Sequence, residues 1–206
     1  KAQGFVDTRF GRRRWLPGIN STEEQEQAAA LREAVNTPVQ SAASDLCLTS
    51  FARSWKKIRD LRIDALPYAF VHDALTFDTE PGRFFDVMEV AYYEMVIAPQ
   101  ILYPWCICRT DVSFDLGVNW GWTVEANLIF GKDGNFEHDG LDLRGKPNHI
   151  DALLNEIQNG GQVVTIEKRG PHPKVAEAEQ GYEQSIIRIE RTNAKVILHD
   201  KELLIL

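Results

Sequence analysis

The chain has 206 residues, a formal net charge of −7 and 44% hydrophobic residues, which is enough to bury the core of one large domain or two small ones. No apolar run approaches the roughly 20 residues that cross a bilayer, and the first residues lack the apolar segment of a signal peptide. We therefore predict a cytoplasmic protein without membrane contact. The three cysteines, Cys47, Cys106 and Cys108, match neither a disulfide framework nor a zinc site, so we expect free and mostly buried thiols.

Charge is distributed unevenly along the chain. Residues 1–62 carry 11 Lys and Arg against 7 Asp and Glu, whereas residues 63–206 carry 12 against 23. A basic N-terminal part suits contacts with nucleic-acid phosphates, and an acidic remainder suits a metal site and an ordinary solvated surface.

The first predicted element is a β-hairpin. Apolar and polar residues alternate over residues 4–9, and Gly11 turns the chain into a second strand that carries Arg12, Arg13 and Arg14. These arginines suit phosphate contacts. A charged edge strand that discourages aggregation is the alternative.

Two helices are predicted next. Ser21 and Glu24 have the spacing of a capping box, which predicts a helix over residues 22–35. Because proline removes a backbone donor, Pro38 is expected to interrupt this helix, and a second helix is expected over residues 38–60.

A row of polar residues crosses the predicted break. Arg32, Asn36 and Gln40 stand four residues apart, so a roughly continuous helical path would put them on one face. All three donate hydrogen bonds, and the minor-groove edge of every base pair offers acceptors, so such a row could test pair geometry without reading sequence. A solvated polar stripe is the alternative.

The stretch PYAFVHDALTF, residues 67–77, predicts two strands joined by a tight turn, with His72 and Asp73 at the tip. A carboxylate among so many apolar neighbours needs a cation or hydrogen-bond donors to offset its desolvation, and a divalent metal is one answer. A surface hairpin whose turn happens to be His-Asp is the other interpretation.

The remaining elements complete an α+β prediction. A helix is expected over residues 83–97, with core positions at Phe84, Val87, Met88, Ala91 and Met95, and a strand over residues 110–116. Further on we predict a hairpin with strands at residues 125–130 and 136–137 around a turn at 132–135. A helix at 150–157, strands at 162–168, 185–190 and 195–199, and a loop at 170–173 are expected after it. The histidines of this region have no partner at ligand spacing and are expected to be structural or solvated: His138, His149, His172 and His199.

Four blocks, in this order, resemble the C-terminal third of family A DNA polymerases: GFVDTRFGRRRWLPGIN, AAALREAVNTPVQSAASD, FVHDALTF and DVSFDLGVNW. The resemblance covers Gly4 to about Trp120. It implies a partial polymerase palm over residues 1–120, phage-type and split or fragmentary, and leaves residues 121–206 as an accessory α+β extension of unknown role. It also implies a bacterial or infected host cell as the setting.

The resemblance implies roles for the residues already singled out. Asp73 matches one of two aspartates that bind the catalytic Mg²⁺ ions, and His72 lies against the primer end. The matching Arg32, Asn36 and Gln40 touch the minor groove, and the segment with Arg12, Arg13 and Arg14 lies beside the duplex. Primer–template DNA and deoxynucleoside triphosphates are the implied partners in template-directed nucleotidyl transfer during DNA replication.

Two departures from the family pattern stand out. Ala74 replaces the family's glutamate, and Ser41 replaces its usual glycine. The family's first metal-binding aspartate and its fingers helix match no residue of this sequence, so we expect a complementary polypeptide, or the rest of a longer protein, to supply them. The alternative is a catalytically inactive, polymerase-fold DNA-binding subunit, and a third possibility is an unrelated α+β binding protein.

Overall fold

The structure is a computed structural model that describes residues 3–130, 138–160, 164–171 and 183–189, and these residues form the predicted α+β fold. The strands are β1 (Phe5–Asp7), β2 (Arg13–Trp15), β3 (Ala65–Val71), β4 (Ala74–Thr79), β5 (Phe114–Gly117), β6 (Thr123–Phe130), β7 (His138–Gly145), β8 (Val164–Pro171) and β9 (Glu183–Ile189). The helices are α1 (Glu24–Asp60), α2 (Phe84–Tyr92), α3 (Ala98–Leu102) and α4 (Pro147–Asn159), with a 3₁₀ turn at Pro17–Asn20 and a π-helical turn at Tyr93–Ile97.

The N-terminal hairpin is confirmed. Strands β1 and β2 pair antiparallel, with Phe5 opposite Trp15, and Gly11 takes the left-handed φ of 81° that the turn between them requires. The 3₁₀ turn that follows buries Leu16 and Ile19 against Ala30 of α1, so the hairpin is fixed to the first half of that helix.

Helix α1 is continuous, and the prediction of two helices separated at Pro38 was wrong. Proline removes one helical hydrogen bond, but most helical stability in proteins comes from tertiary packing. Packing holds α1 on both sides of the proline, through Ala30 upstream and Ile58 downstream. The predicted capping box also differs: the Ser21 hydroxyl accepts from the Glu23 amide and bonds the Glu26 carboxylate, and α1 begins at Glu24.

The helix predicted over residues 83–97 is present as α2 followed by the π-helical turn. Four of the five predicted core positions are buried, but Met95 is only half-buried and Val96 takes the inward position. A π turn adds a residue to the helical repeat, so it shifts the phase of the apolar face by one residue.

Helix α2 lies between two hydrophobic cores. Its Phe84, Phe85 and Met88 pack against β6, β7 and α4, whereas its Val87 and Val90 pack with residues of α1 and β3. The same helix therefore contacts both the hairpin formed by β3 and β4 and the C-terminal part of the chain.

The C-terminal part forms a five-stranded antiparallel sheet in the order β5-β6-β7-β9-β8, with α4 packed on it. Sequence analysis predicted β6, β8, β9 and α4. The predicted hairpin is present as β6 and β7, but its second strand was placed at residues 136–137, whereas β7 runs over His138–Gly145. The loop predicted over residues 170–173 was wrong at its start, since Gly170 and Pro171 end β8 and lie opposite β9. The predicted turn at 132–135, the predicted strand at 195–199, His172 and His199 lie outside the described residues.

The boundary predicted at residue 120 falls in the short turn between β5 and β6, which are neighbours in the sheet. A Cβ added to Gly117 would collide with the backbone of Trp122, so this turn is closely packed.

All three cysteines are free, as predicted, but none is fully buried. Within the described part of the chain, no helix combines the length and apolar character needed to cross a bilayer.

Candidate functional site

The predicted hairpin over residues 67–77 is confirmed, and His72 and Asp73 form its two-residue turn. Strands β3 and β4 are antiparallel, with Val71 opposite Ala74 at the tip. His72 has a φ of 57°, the left-handed region that few residues other than glycine adopt, although histidine is among the more tolerant. This backbone fixes where the Asp73 side chain leaves the turn.

Asp73 is exposed, and so is His72, which corrects the expectation of a carboxylate buried among apolar residues. The hairpin packs on α1 through Phe70 and Phe77, and its tip lies in solvent. Desolvation therefore does not require a cation at Asp73, and the carboxylate oxygens are accessible to a ligand.

The hairpin is anchored by a cluster of aromatic rings. Phe51 of α1 stacks with Phe70 at a centroid distance of 6.0 Å and meets Phe77 edge-on at 5.5 Å. A β-bulge between Pro67 and Ala69 inserts one extra residue into β3. Successive residues of a strand alternate between its two faces, so β3 without the bulge would place Phe70 on the face opposite to Phe77. With the bulge, Phe70 and Phe77 lie on the same face, and both contact Phe51 of α1.

Cys47 of α1 lies near the tip. Burial raises the pKa of the Cys47 thiol, and the negative charge of Asp73 raises it further. Cys47 and Gln40 are seven residues apart, so they share a face of α1 about 10 Å apart along the helix axis. The polar row and the hairpin tip are therefore on the same side of α1.

The polar row itself is brought together as predicted. Arg32, Asn36 and Gln40 lie on the single helix α1, spread over about 12 Å of its length. All three are exposed. The continuity of α1 through Pro38 is what aligns them, because a break there would have turned Arg32 and Asn36 away from Gln40.

Each of the three consecutive arginines is paired with a carboxylate of this chain. Arg12 contacts Asp45 at 2.9 Å and Arg14 contacts Glu33 at 3.4 Å, so both link the N-terminal hairpin to α1.

Arg13 and Asp7 form a two-point contact across the hairpin, with N–O distances of 2.7 and 2.9 Å. The Arg13 guanidinium also lies 3.6 Å from the centroid of the Phe5 ring. The hydrogen bond with Arg13 lowers the pKa of Asp7, and the same bond raises the pKa of Arg13. This arginine is held in place by its own strand pair and the ring beneath it.

A buried ion pair behind the site was not predicted. Arg53 of α1 donates to Glu94 of the π-helical turn at 2.6 Å, and the Glu94 side chain is only 5% exposed. The Ser50 hydroxyl donates to the Glu94 backbone carbonyl at 2.7 Å. These contacts fasten α1 to the segment after α2, and sequence gives no signal for them because the partners are 41 and 44 residues apart.

The donor set at the tip suits magnesium only in part. A carboxylate oxygen is a ligand that Mg²⁺ prefers, and Asp73 can offer one. Among the residues that the structure describes, no three His, Cys, Asp or Glu side chains gather closely enough to hold a metal ion.

Elsewhere, His149 stacks on Trp122 at 5.1 Å, and its Nδ1 lies 3.3 Å from the Thr123 carbonyl, which is the structural role predicted for it.

Residues 1–122 match the model of DNA polymerase family A. The chain is 33% identical over 83 residues to DNA polymerase I of Mycobacterium bovis, covering 40% of this chain and 9% of that protein. It is 30% identical over 120 residues to the thermostable DNA polymerase I of Thermus thermophilus, covering 58% and 14%. DNA polymerase theta of Drosophila melanogaster is 28% identical over 137 residues, covering 62% and 6%.

A solved structure is also similar: the POL domain of Pol1 from M. smegmatis in complex with DNA primer-template and dNTP. It matches 46% of this chain and 17% of its own, with 30% identity and a TM-score of 0.44. The chain thus spans between about a twentieth and a sixth of the length of these proteins. Because the family model matches more than half of the 206 residues, the chain belongs to DNA polymerase family A.

Proposed function

We propose that this chain is the C-terminal palm part of a DNA-directed DNA polymerase and contributes Asp73 to the site of nucleotidyl transfer. The observation that carries the proposal is the hairpin tip: an accessible carboxylate on a turn of fixed backbone, anchored to α1 on the side that bears Arg32, Asn36 and Gln40. The match of residues 1–122 to family A supports it.

The role of Asp73 is to offer a carboxylate oxygen to a divalent ion. When bound, a pair of Mg²⁺ ions supplies activation of the primer 3′-hydroxyl and neutralises the leaving pyrophosphate. His72, the neighbouring residue of the exposed turn, lies against the primer end in this proposal and holds it beside Asp73. Ala74 begins β4 and has no carboxylate, so Asp73 acts without the glutamate that follows it in the family pattern.

The exposed row on α1 binds the minor groove near the primer terminus. Arg32 and the two amides donate to purine N3 and pyrimidine O2 atoms, which every correct base pair presents. Arg12, Arg13 and Arg14 bind the phosphates beside it. Arg14 and Glu33 are both exposed, and an exposed ion pair contributes at most about 1 kcal/mol, so a DNA phosphate can replace Glu33 as the partner of Arg14.

The second carboxylate of the metal site and the fingers come, in this proposal, from further polymerase sequence on a complementary polypeptide. An exposed apolar row on α1 supports such a partner. Val35 and Val39 are 72% and 71% exposed and stand one turn apart, directly beside the polar row, with Leu31 in line. Exposed apolar surface of this kind is typical of a face that another part of an assembly covers.

The second candidate is a DNA-binding subunit without catalysis, which Ala74 and Ser41 favour. In this case the polar row and the arginines still bind DNA, but no nucleotide is added. Primer extension distinguishes the two functions, because the polymerase binds DNA and extends the primer, whereas the non-catalytic subunit only binds DNA.

The test is primer extension with Mg²⁺ and four nucleotides. It compares this chain, the part of Thermus thermophilus DNA polymerase I that precedes the matching region, and the mixture of the two. We expect extension in the mixture only. Primer–template binding without extension in the mixture would favour the non-catalytic subunit, and absence of both would reject the two candidates together.

A further inference from the structure

Helix α2 links the base of the β3–β4 hairpin to the C-terminal extension over a very short path. Only Glu80–Arg83 separate β4 from α2, and the Arg83 amide donates to the Glu80 carbonyl at 2.8 Å. On its far side, α2 packs against Val124, Leu143 and Ile150 of the extension in one continuous core. A shift of the extension would therefore tilt α2 and, with it, the base of the hairpin.

The end of α4 touches the same connection through two glycines. A Cβ on Gly160 would lie 2.8 Å from the Gly82 backbone nitrogen and 3.0 Å from Pro81, and a Cβ on Gly82 would lie 2.9 Å from the Gly160 carbonyl oxygen. Real Cβ atoms do not approach backbone so closely. The extension thus abuts the backbone at the point where the hairpin leads into α2.

A third contact reaches the hairpin directly. Tyr68, the bulged residue of β3, meets Trp120 at a ring-centroid distance of 6.3 Å. Trp120 belongs to the tight turn that leads into β6, where Trp122 stacks on His149 of α4. The rings therefore connect the hairpin to the same two elements of the extension.

We propose that residues 121–130 and 138–160 are a positioning element that sets the angle of the β3–β4 hairpin and so the place of Asp73. The hairpin is about 20 Å long from base to tip, so a tilt of roughly 5° at its base moves the tip by roughly 1.7 Å. Misplacement of a reacting group by about 1 Å can cost about 100-fold in rate. The catalytic consequence rests on the proposed function, whereas the mechanical coupling does not.

The first test is amide hydrogen exchange of the full chain carrying Gly160→Ala. Gly160 has a φ of −72°, which alanine adopts freely, so the substitution adds only the colliding Cβ. We expect exchange in β3 and β4 to rise about tenfold, because overpacking at one point weakens the contact that holds them. Asn155→Ala, at an exposed position of α4, is the matched control and should leave the hairpin unchanged.

Faster exchange confined to α4, with β3 and β4 as in the unaltered chain, would overturn the coupling. If Gly160→Ala does not fold, Leu154→Val loosens the same core by one methylene and is measured in its place, with the same two outcomes.

The second test uses the complemented polymerase, well below its melting temperature. Gly160→Ala should lower kcat by about 10- to 100-fold and raise the Mg²⁺ concentration for half-maximal rate, with the primer–template Kd unchanged. An unchanged Mg²⁺ requirement and kcat would overturn the positioning role. If the unaltered mixture extends no primer, the proposed function fails, and the exchange measurement still decides the coupling.

Discussion

Glu94 is a carboxylate that the fold buries, and Arg53 is the side chain that makes this burial tolerable. We predict that Arg53→Met destabilises the chain by about 3 kcal/mol, since it leaves the Glu94 charge buried without its partner. The double variant with Glu94→Gln should regain most of this loss. Urea unfolding measures all three chains, and a loss below about 1 kcal/mol for Arg53→Met would show that Glu94 finds another donor.

The pKa of the Cys47 thiol on α1 depends on the charge of Asp73 at the hairpin tip. Because the Asp73 charge contributes to the raised pKa of the Cys47 thiol, Asp73→Asn should lower that pKa, and burial should keep it above the ordinary value. The pH profile of alkylation, measured without metal in a chain with Cys106→Ser and Cys108→Ser, should then move to lower pH. Asp78→Asn, on the same hairpin but away from the tip, should leave the profile in place.

For single residues, the sequence predicted which side chains lie on the same surface, but it did not predict their exposure or their ion-pair partners. The position of His72 and Asp73 followed from two apolar runs with two polar residues between them, which is a local pattern. The exposure of Asp73 and the pairing of Arg53 with Glu94 depend on segments that are distant in the chain. No local periodicity carries that information.

Helix α1 shows how packing overrides a local break. Proline inside a helix costs about 3 kcal/mol relative to alanine, so we predict that Pro38→Ala raises the free energy of unfolding by about 1–3 kcal/mol. Helical content by circular dichroism should change little, because the helix already runs through this position. A fall in stability would mean that the proline ring makes contacts that outweigh the missing hydrogen bond.

Other elements were predicted as far as their patterns were regular. Helix α4 has apolar residues at Ile150, Leu153, Leu154 and Ile157, the spacing of a helix with one buried face, and it was found. Strand β7 was predicted only as the short second strand of a hairpin, at residues 136–137, because glycines and aspartates, which are depleted in strands, alternate with only two leucines. Its sheet neighbours β6 and β9 supply the pairing that its composition does not favour.

The whole molecule is organised by the two cores on either side of α2. The α+β class and the family resemblance of the first 120 residues could be predicted from motif order, whereas the joining of both parts through one helix and one sheet could not. Strand order β5-β6-β7-β9-β8 crosses the predicted boundary, and such non-local pairing leaves no signature in a single sequence. The role proposed for the extension therefore depends on the fold.

The measurement that tests the account most directly is the rate of single-nucleotide incorporation in the complemented polymerase with Asp73→Asn, compared with Asp78→Asn. Both changes remove one exposed negative charge from β4 or its turn, but only Asp73 is at the tip. We predict loss of incorporation by at least about 100-fold for Asp73→Asn, with primer–template binding retained, and a nearly normal rate for Asp78→Asn. Equal rates in the two variants would contradict the assignment of Asp73 to the site of nucleotidyl transfer.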